Sequence, residues 1–177
     1  MTKKIAISGI FISMALVLSF FEGLIPMNFG IPGVKLGLAN IVALTALFIL
    51  GPVYALAIQA GRVVLAALMF GNMAGLLYSI SGGLLSIFAM ILLYKIKRPF
   101  FTIVAISVFG AVFHNIGQIT AASVIVSDLR ISFYLPILLL SGVAAGIFVG
   151  FAGKYLIKGL LRTNLMELHN PDSSNRL

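Results

Sequence analysis

The sequence predicts an all-α integral membrane protein, a bundle of six transmembrane helices with both termini in the cytoplasm. Three observations carry that prediction. The 177 residues are 61% hydrophobic and only 9% charged, with a mean hydropathy of +1.17, whereas a soluble domain carries about a quarter charged residues. The apolar residues fall in continuous runs close to the roughly 20 residues an α-helix needs to cross the hydrocarbon. A membrane β-barrel would show alternation with period two instead. Finally, the cations gather at the ends of those runs, where topology determinants belong.

The first span, about 4–22, follows Lys3 and Lys4 and has the outline of a secretory signal. No small-residue cleavage site follows it, so it reads as a retained helix. The connection Gly23 to Gly33 is apolar yet full of helix breakers. Non-helical backbone near a membrane packs on protein or lines a cavity, which predicts a lid over an outward-facing pocket. The second span, about 35–50, is short, and only Gly51-Pro52 separates it from the third, about 52–70. A tight hairpin is expected there. The fourth, fifth and sixth spans cover about 73–94, 99–127 and 133–158. Residues 1–162 thus form one transmembrane domain. The remainder, 163–177, with Asn170-Pro-Asp-Ser-Ser-Asn175, is polar and turn-rich, and a loosely ordered cytoplasmic tail is expected.

Positive charge orients the bundle. Lys3 and Lys4, then Lys95, Lys97 and Arg98, then Lys154, Lys158 and Arg162 fall on one side, while the other has only Lys35 and Arg130, beside Glu22 and Asp128. Both termini are therefore expected in the cytoplasm of a multi-pass cell-membrane protein. This explains the formal charge of +8 without a nucleic-acid partner. The partner implied is the lipid bilayer. Cysteine is absent, which excludes disulfides and thiolate chemistry.

Arg62 stands within the otherwise apolar stretch Gln59-Ala-Gly-Arg-Val-Val-Leu-Ala-Ala-Leu-Met69, with no acid near it in sequence. A cation at mid-bilayer costs at least about 2.5 to 3.5 kcal/mol on insertion scales, so it faces protein, an aqueous cavity or a charged ligand. His114, Asn115 and Gln118, at i, i+1 and i+4, share one face of the fifth span. Asn40 and Asn72 fall on the middle to outer side as well, and Lys35, Gln59 and Glu22 are further candidates. Such a donor-rich set, with Glu22 its only carboxylate, suits an anionic small molecule. The alternative is that the amides join helices to one another. His114 lacks further titratable groups to form a relay and serves as a hydrogen-bonding group. With two histidines in the chain, no metal site is expected.

Small residues recur at spacings of three or four: Gly142, Gly146 and Gly150; Gly75, Ser79, Gly83 and Ser86; Ala6, Gly9 and Ser13. The first two sets are packing faces. The third, on the first span, is a candidate docking face for another membrane subunit. No Walker A sequence, aspartate-rich prenyltransferase motif or nucleophile with its base is present, so neither an enzyme nor a bound cofactor is expected.

The runs Pro32-Gly-Val-Lys-Leu-Gly-Leu-Ala-Asn-Ile-Val42, Arg62 with Phe70-Gly-Asn72, Ser81-Gly-Gly-Leu-Leu-Ser86 and Gly110-Ala-Val-Phe-His-Asn-Ile-Gly-Gln118 resemble the Gx transporter family. This is the group labelled heptaprenyl diphosphate synthase component I, and the likeness covers about 4–160. That family looks like the substrate-binding S components of energy-coupling factor transporters. The resemblance implies a six-helix bundle with an outward-facing pocket, whose energy comes from a separate coupling subunit and two ATPases. Asn40, Arg62, His114, Asn115 and Gln118 fall on the family's polar motif positions. Where typical S components carry an Ala-xxx-Ala docking motif, this chain has Ala6, Gly9 and Ser13. Members are also associated with quinone synthesis and flavin-based electron transfer, which implies an accessory role as the alternative and a part in heptaprenyl diphosphate synthesis as a third.

Overall fold

The computed structural model describes residues 2–24, 36–70, 73–96, 100–163, 167 and 169–177. Every regular element among them is helical: α1 (Thr2–Leu24), α2 (Leu38–Ile49), α3 (Pro52–Phe70), α4 (Met73–Lys95), α5 (Ile103–Val126) and α6 (Leu135–Arg162), with 3-10 turns at Leu129–Tyr134 and Pro171–Arg176. Lys35 and Asn72, and nearly all of the connection expected to form a lid, lie outside the described residues.

Local chemistry sets the boundaries. Gly37 precedes α2 in the left-handed conformation, with φ of 75°, which only glycine adopts without penalty. Pro52 opens α3 at a position that needs no amide donor. Thr102 caps α5 by accepting from the Ala105 amide, so that helix starts at Ile103, a few residues later than its apolar run.

Among the described residues five helices are long and apolar enough to cross a membrane; α2 is the exception. Its 12 residues rise about 18 Å, short of the roughly 30 Å hydrocarbon. It is instead buried in the core, with Val42 to Leu50 all 4% exposed or less.

Contacts run from α1 to α2, α6, α5, α4, α3 and back to α1, closing a ring. Around α5 the ring is tight because small residues let backbones meet. A β-carbon on Gly117 would lie 2.6 Å from the Ser81 carbonyl of α4, and one on Gly146 of α6 would lie 2.6 Å from Val108 Cα. Large apolar side chains such as Leu68, Phe88 and Leu140 point outward, as a lipid-facing surface requires. On α1, Ala6, Gly9 and Ser13 are also exposed.

One end of the bundle gathers Lys4, whose Nζ lies 5.7 Å from the Tyr54 ring centre, the Gly51 turn and the last turn of α4. We call this the basic end. The C-terminal segment closes it, which departs from the loose tail expected. His169 donates its amide to the Phe48 carbonyl at 2.8 Å. Arg176 donates to the carbonyls of Tyr94 and Ile96, each at 3.0 Å, and Ser173 is buried. The carbonyls at the end of α4 need partners, and a cation at a helix C-terminus is favoured by its dipole.

Candidate functional site

All six helices wall a cavity of about 240 Å³ inside the ring. Its α4 wall runs from Leu76 to Met90, about 21 Å at helical rise, so the space is elongated along the bundle.

Arg62 projects from the middle of α3 onto this wall. Its Nη1 donates to Ser19 Oγ of α1 at 3.2 Å, while Nε is buried without a hydrogen-bond partner among the described residues. Glu22, one turn beyond Ser19 on α1, lines the same cavity and acts electrostatically on Arg62. Glu22 nevertheless makes no ion pair with it: its Oε1 accepts from the Gly37 amide. A hydrogen bond thus holds the carboxylate at the start of α2, where it offsets the guanidinium charge from a distance and leaves Nε uncommitted.

Asn40 stands beside Gly37, which it also contacts through its own amide, donating to the Gly37 carbonyl at 2.9 Å. Asn115 of α5 donates Nδ2 to the Leu138 carbonyl of α6. That fixes the amide's orientation and leaves its carbonyl oxygen as the group free to accept. His114 lines the wall next to it. Asn40, Arg62, His114, Asn115 and the further candidate Glu22 are therefore brought together.

Gln118 and Gln59 are not on the cavity wall. Gln118 is buried over Gly82, where a β-carbon would come 2.9 Å from its Cγ. Gln59 is 2% exposed with its amide against Gly83. Both use the small residues of α4 as seats and sit between helices. The helix spacing gave the angle between His114 and Gln118, but the close approach of α5 to α4 decides which of them reaches the cavity.

Four wall serines escaped the sequence reading as site groups: Ser19, Ser79, Ser86 and Ser107. Spacing carried a signal for two of them. Ser19 is three residues from Glu22, and Ser107 is seven from His114, so each shares a helix face with a recognised candidate.

The fold and the cavity define a class: a multi-helix membrane protein that encloses a polar, arginine-bearing pocket in an apolar bundle. Residues 11–156 match the family model described as heptaprenyl diphosphate synthase component I, and the chain belongs to that family. No curated protein and no solved structure matches the chain.

Proposed function

We propose that this protein is the substrate-binding membrane subunit of a small-molecule importer, similar to an S component, and that Arg62 neutralises the acid group of its ligand. The observation that carries the proposal is the state of Arg62. It lies on a cavity wall, its one hydrogen bond among the described residues goes to a neutral hydroxyl, and its Nε has no partner among them. A half-employed guanidinium at membrane depth is expensive unless something charged completes it. Asn40, His114 and the Asn115 carbonyl read the ligand's polar edges.

The cavity volume is below the roughly 300 to 1,000 Å³ of pockets for drug-sized molecules, which favours a ligand of vitamin or cofactor-fragment size. In this reading α2 completes a six-helix bundle as a core element, the basic end is cytoplasmic, and the chain resides in the cell membrane. It has no catalysis of its own. A separate coupling subunit with ATPases supplies the energy, and the α1 face with Ala6, Gly9 and Ser13 is where that subunit docks.

Native mass spectrometry of the protein released from its own membrane tests this. We expect a small acidic molecule bound to the wild type and lost from Arg62→Ala. A wild-type protein that carries nothing, together with unchanged cellular uptake of small acids by the variant, would sink the proposal.

The family description favours a second reading, a binding component in heptaprenyl diphosphate synthesis. Arg62 also suits a diphosphate. Among the described residues no group of three or more His, Cys, Asp or Glu side chains could hold a metal ion, so among them Arg62 is the group on the cavity wall that would meet a diphosphate. Incorporation of labelled isopentenyl diphosphate that depends on this chain would favour it over import.

A further inference from the structure

Hydroxyls inside helices ordinarily bond the carbonyl one turn back. Ser8, Ser13, Thr45, Ser81 and Thr120 all do so here, at 2.7 to 3.1 Å. Ser86 and Ser107 do not. Both line the cavity, at 1% and 3% exposure, and neither hydroxyl has a partner among the described residues.

The two stand on α4 and α5 and flank one patch. A β-carbon on Gly110, one turn on from Ser107, would lie 3.3 Å from Ser86 Oγ and 2.8 Å from Met90 Sδ. Ser107, Gly110, Ala111 and His114 share the α5 face that lines the cavity. Along that face Ser107 is seven residues nearer the basic end than His114, which is about 10 Å. Arg62, ten residues into α3, lies about 15 Å from the basic end, close to the depth of His114. Ala111, which lies on that α5 face between Ser107 and His114, and Ala145 and Val149 of α6 give the cavity apolar wall.

We infer that Ser86 and Ser107 form a second subsite, which takes the neutral hydrogen-bonding end of a ligand whose acid group rests on Arg62. The inference builds on the ligand-binding reading above. It narrows the ligand to one class: an anion with an apolar middle and a hydroxyl, carbonyl or amide at its far end. Both oxygens are buried, and a change of χ1 rotamer is the motion that would bring each to a ligand. An extended chain gains about 1.2 Å per bond, so an eight-carbon acid has the length to touch both sites.

Octanoate and its terminal-hydroxyl analogue are therefore matched probes, to be titrated calorimetrically into the full chain in nanodiscs. The wild type is expected to prefer the hydroxy acid about tenfold, as a hydrogen bond to an otherwise unpaired group would give. Ser86→Ala with Ser107→Ala should erase that preference and leave octanoate affinity unchanged. Arg62→Gln should weaken both probes alike, by about tenfold. Equal affinity of the wild type for both probes, or a preference that survives in the double variant, overturns the second subsite and leaves the Arg62 reading standing. Binding of neither probe, or binding indifferent to Arg62, overturns that reading and the subsite with it. The double variant loses only unpaired hydroxyls, so its melting temperature should match or exceed the wild type's; a fall would make the two serines structural and overturn the subsite.

Discussion

Arg62 and Arg176 both place a guanidinium inside the bundle, one beside the cavity and one under the basic end. Arg176 is 6% exposed; it bonds two backbone carbonyls at the end of α4 and lies 5.9 Å from the Tyr94 ring centre. Each of its contacts satisfies a need of the fold, since those carbonyls have no helical partner. Among the described residues Arg62 has a single 3.2 Å bond, to a serine hydroxyl, and a carboxylate that faces the same cavity without touching it. Burial alone therefore does not mark a functional cation. What separates the two is how completely the chain itself employs the group, and only Arg62 leaves room for something from outside.

The largest effect should come from emptying the cavity of its charge. Arg62→Ala is expected to weaken an acidic probe such as octanoate about a hundredfold, some 2.7 kcal/mol, with melting temperature held or raised, because an incompletely paired cation leaves the membrane interior. Arg176→Ala should do the reverse. Two charge-assisted bonds at a helix end are lost, so unfolding becomes easier by about 2 kcal/mol while probe affinity stays put; thermal unfolding and titration on one preparation read both.

A smaller shift should follow at Glu22. Replacing it by glutamine keeps an acceptor for the Gly37 amide and removes the negative charge near Arg62. Acid affinity is then expected to rise about fivefold, near 1 kcal/mol, with a modest loss of thermal stability. A fall in affinity would show that Glu22 assists the anion instead of competing with it. The smallest effect on binding belongs to the core glycines used as seats: Gly83→Ala sets a methyl against the Gln59 amide, off the cavity. It should cost about 1 to 3 kcal/mol of stability with no change in probe affinity.

Much of this was legible from sequence because membrane folding follows local rules. Continuous apolar runs announced the helices, and Gly51-Pro52 announced the hairpin between α2 and α3. Arg62 was conspicuous because its surroundings are apolar. What stayed hidden depends on contacts between distant residues. The segment ending in Arg176 looks polar and turn-rich, and nothing local reports that its arginine reaches the last carbonyls of α4. Glu22 is forty residues from Arg62, so their shared cavity appears only when α1 and α3 pack. Gln118 shows the same limit in miniature: periodicity fixes which residues share a face, but the packing of α5 on Gly82 determines where that face points. The shortness of α2 was visible, and its role as a buried core element was not.

On the proposed reading the cavity arginine awaits a ligand, while the arginine at the basic end is consumed by the fold. Paired variants Arg62→Gln and Arg176→Gln, each titrated with octanoate and then melted, test it most directly. A crossed result is expected: the first loses about tenfold in affinity and keeps its melting temperature, the second loses stability and keeps its affinity. Variants that behave alike, or an Arg62→Gln protein that unfolds early and binds normally, would contradict it.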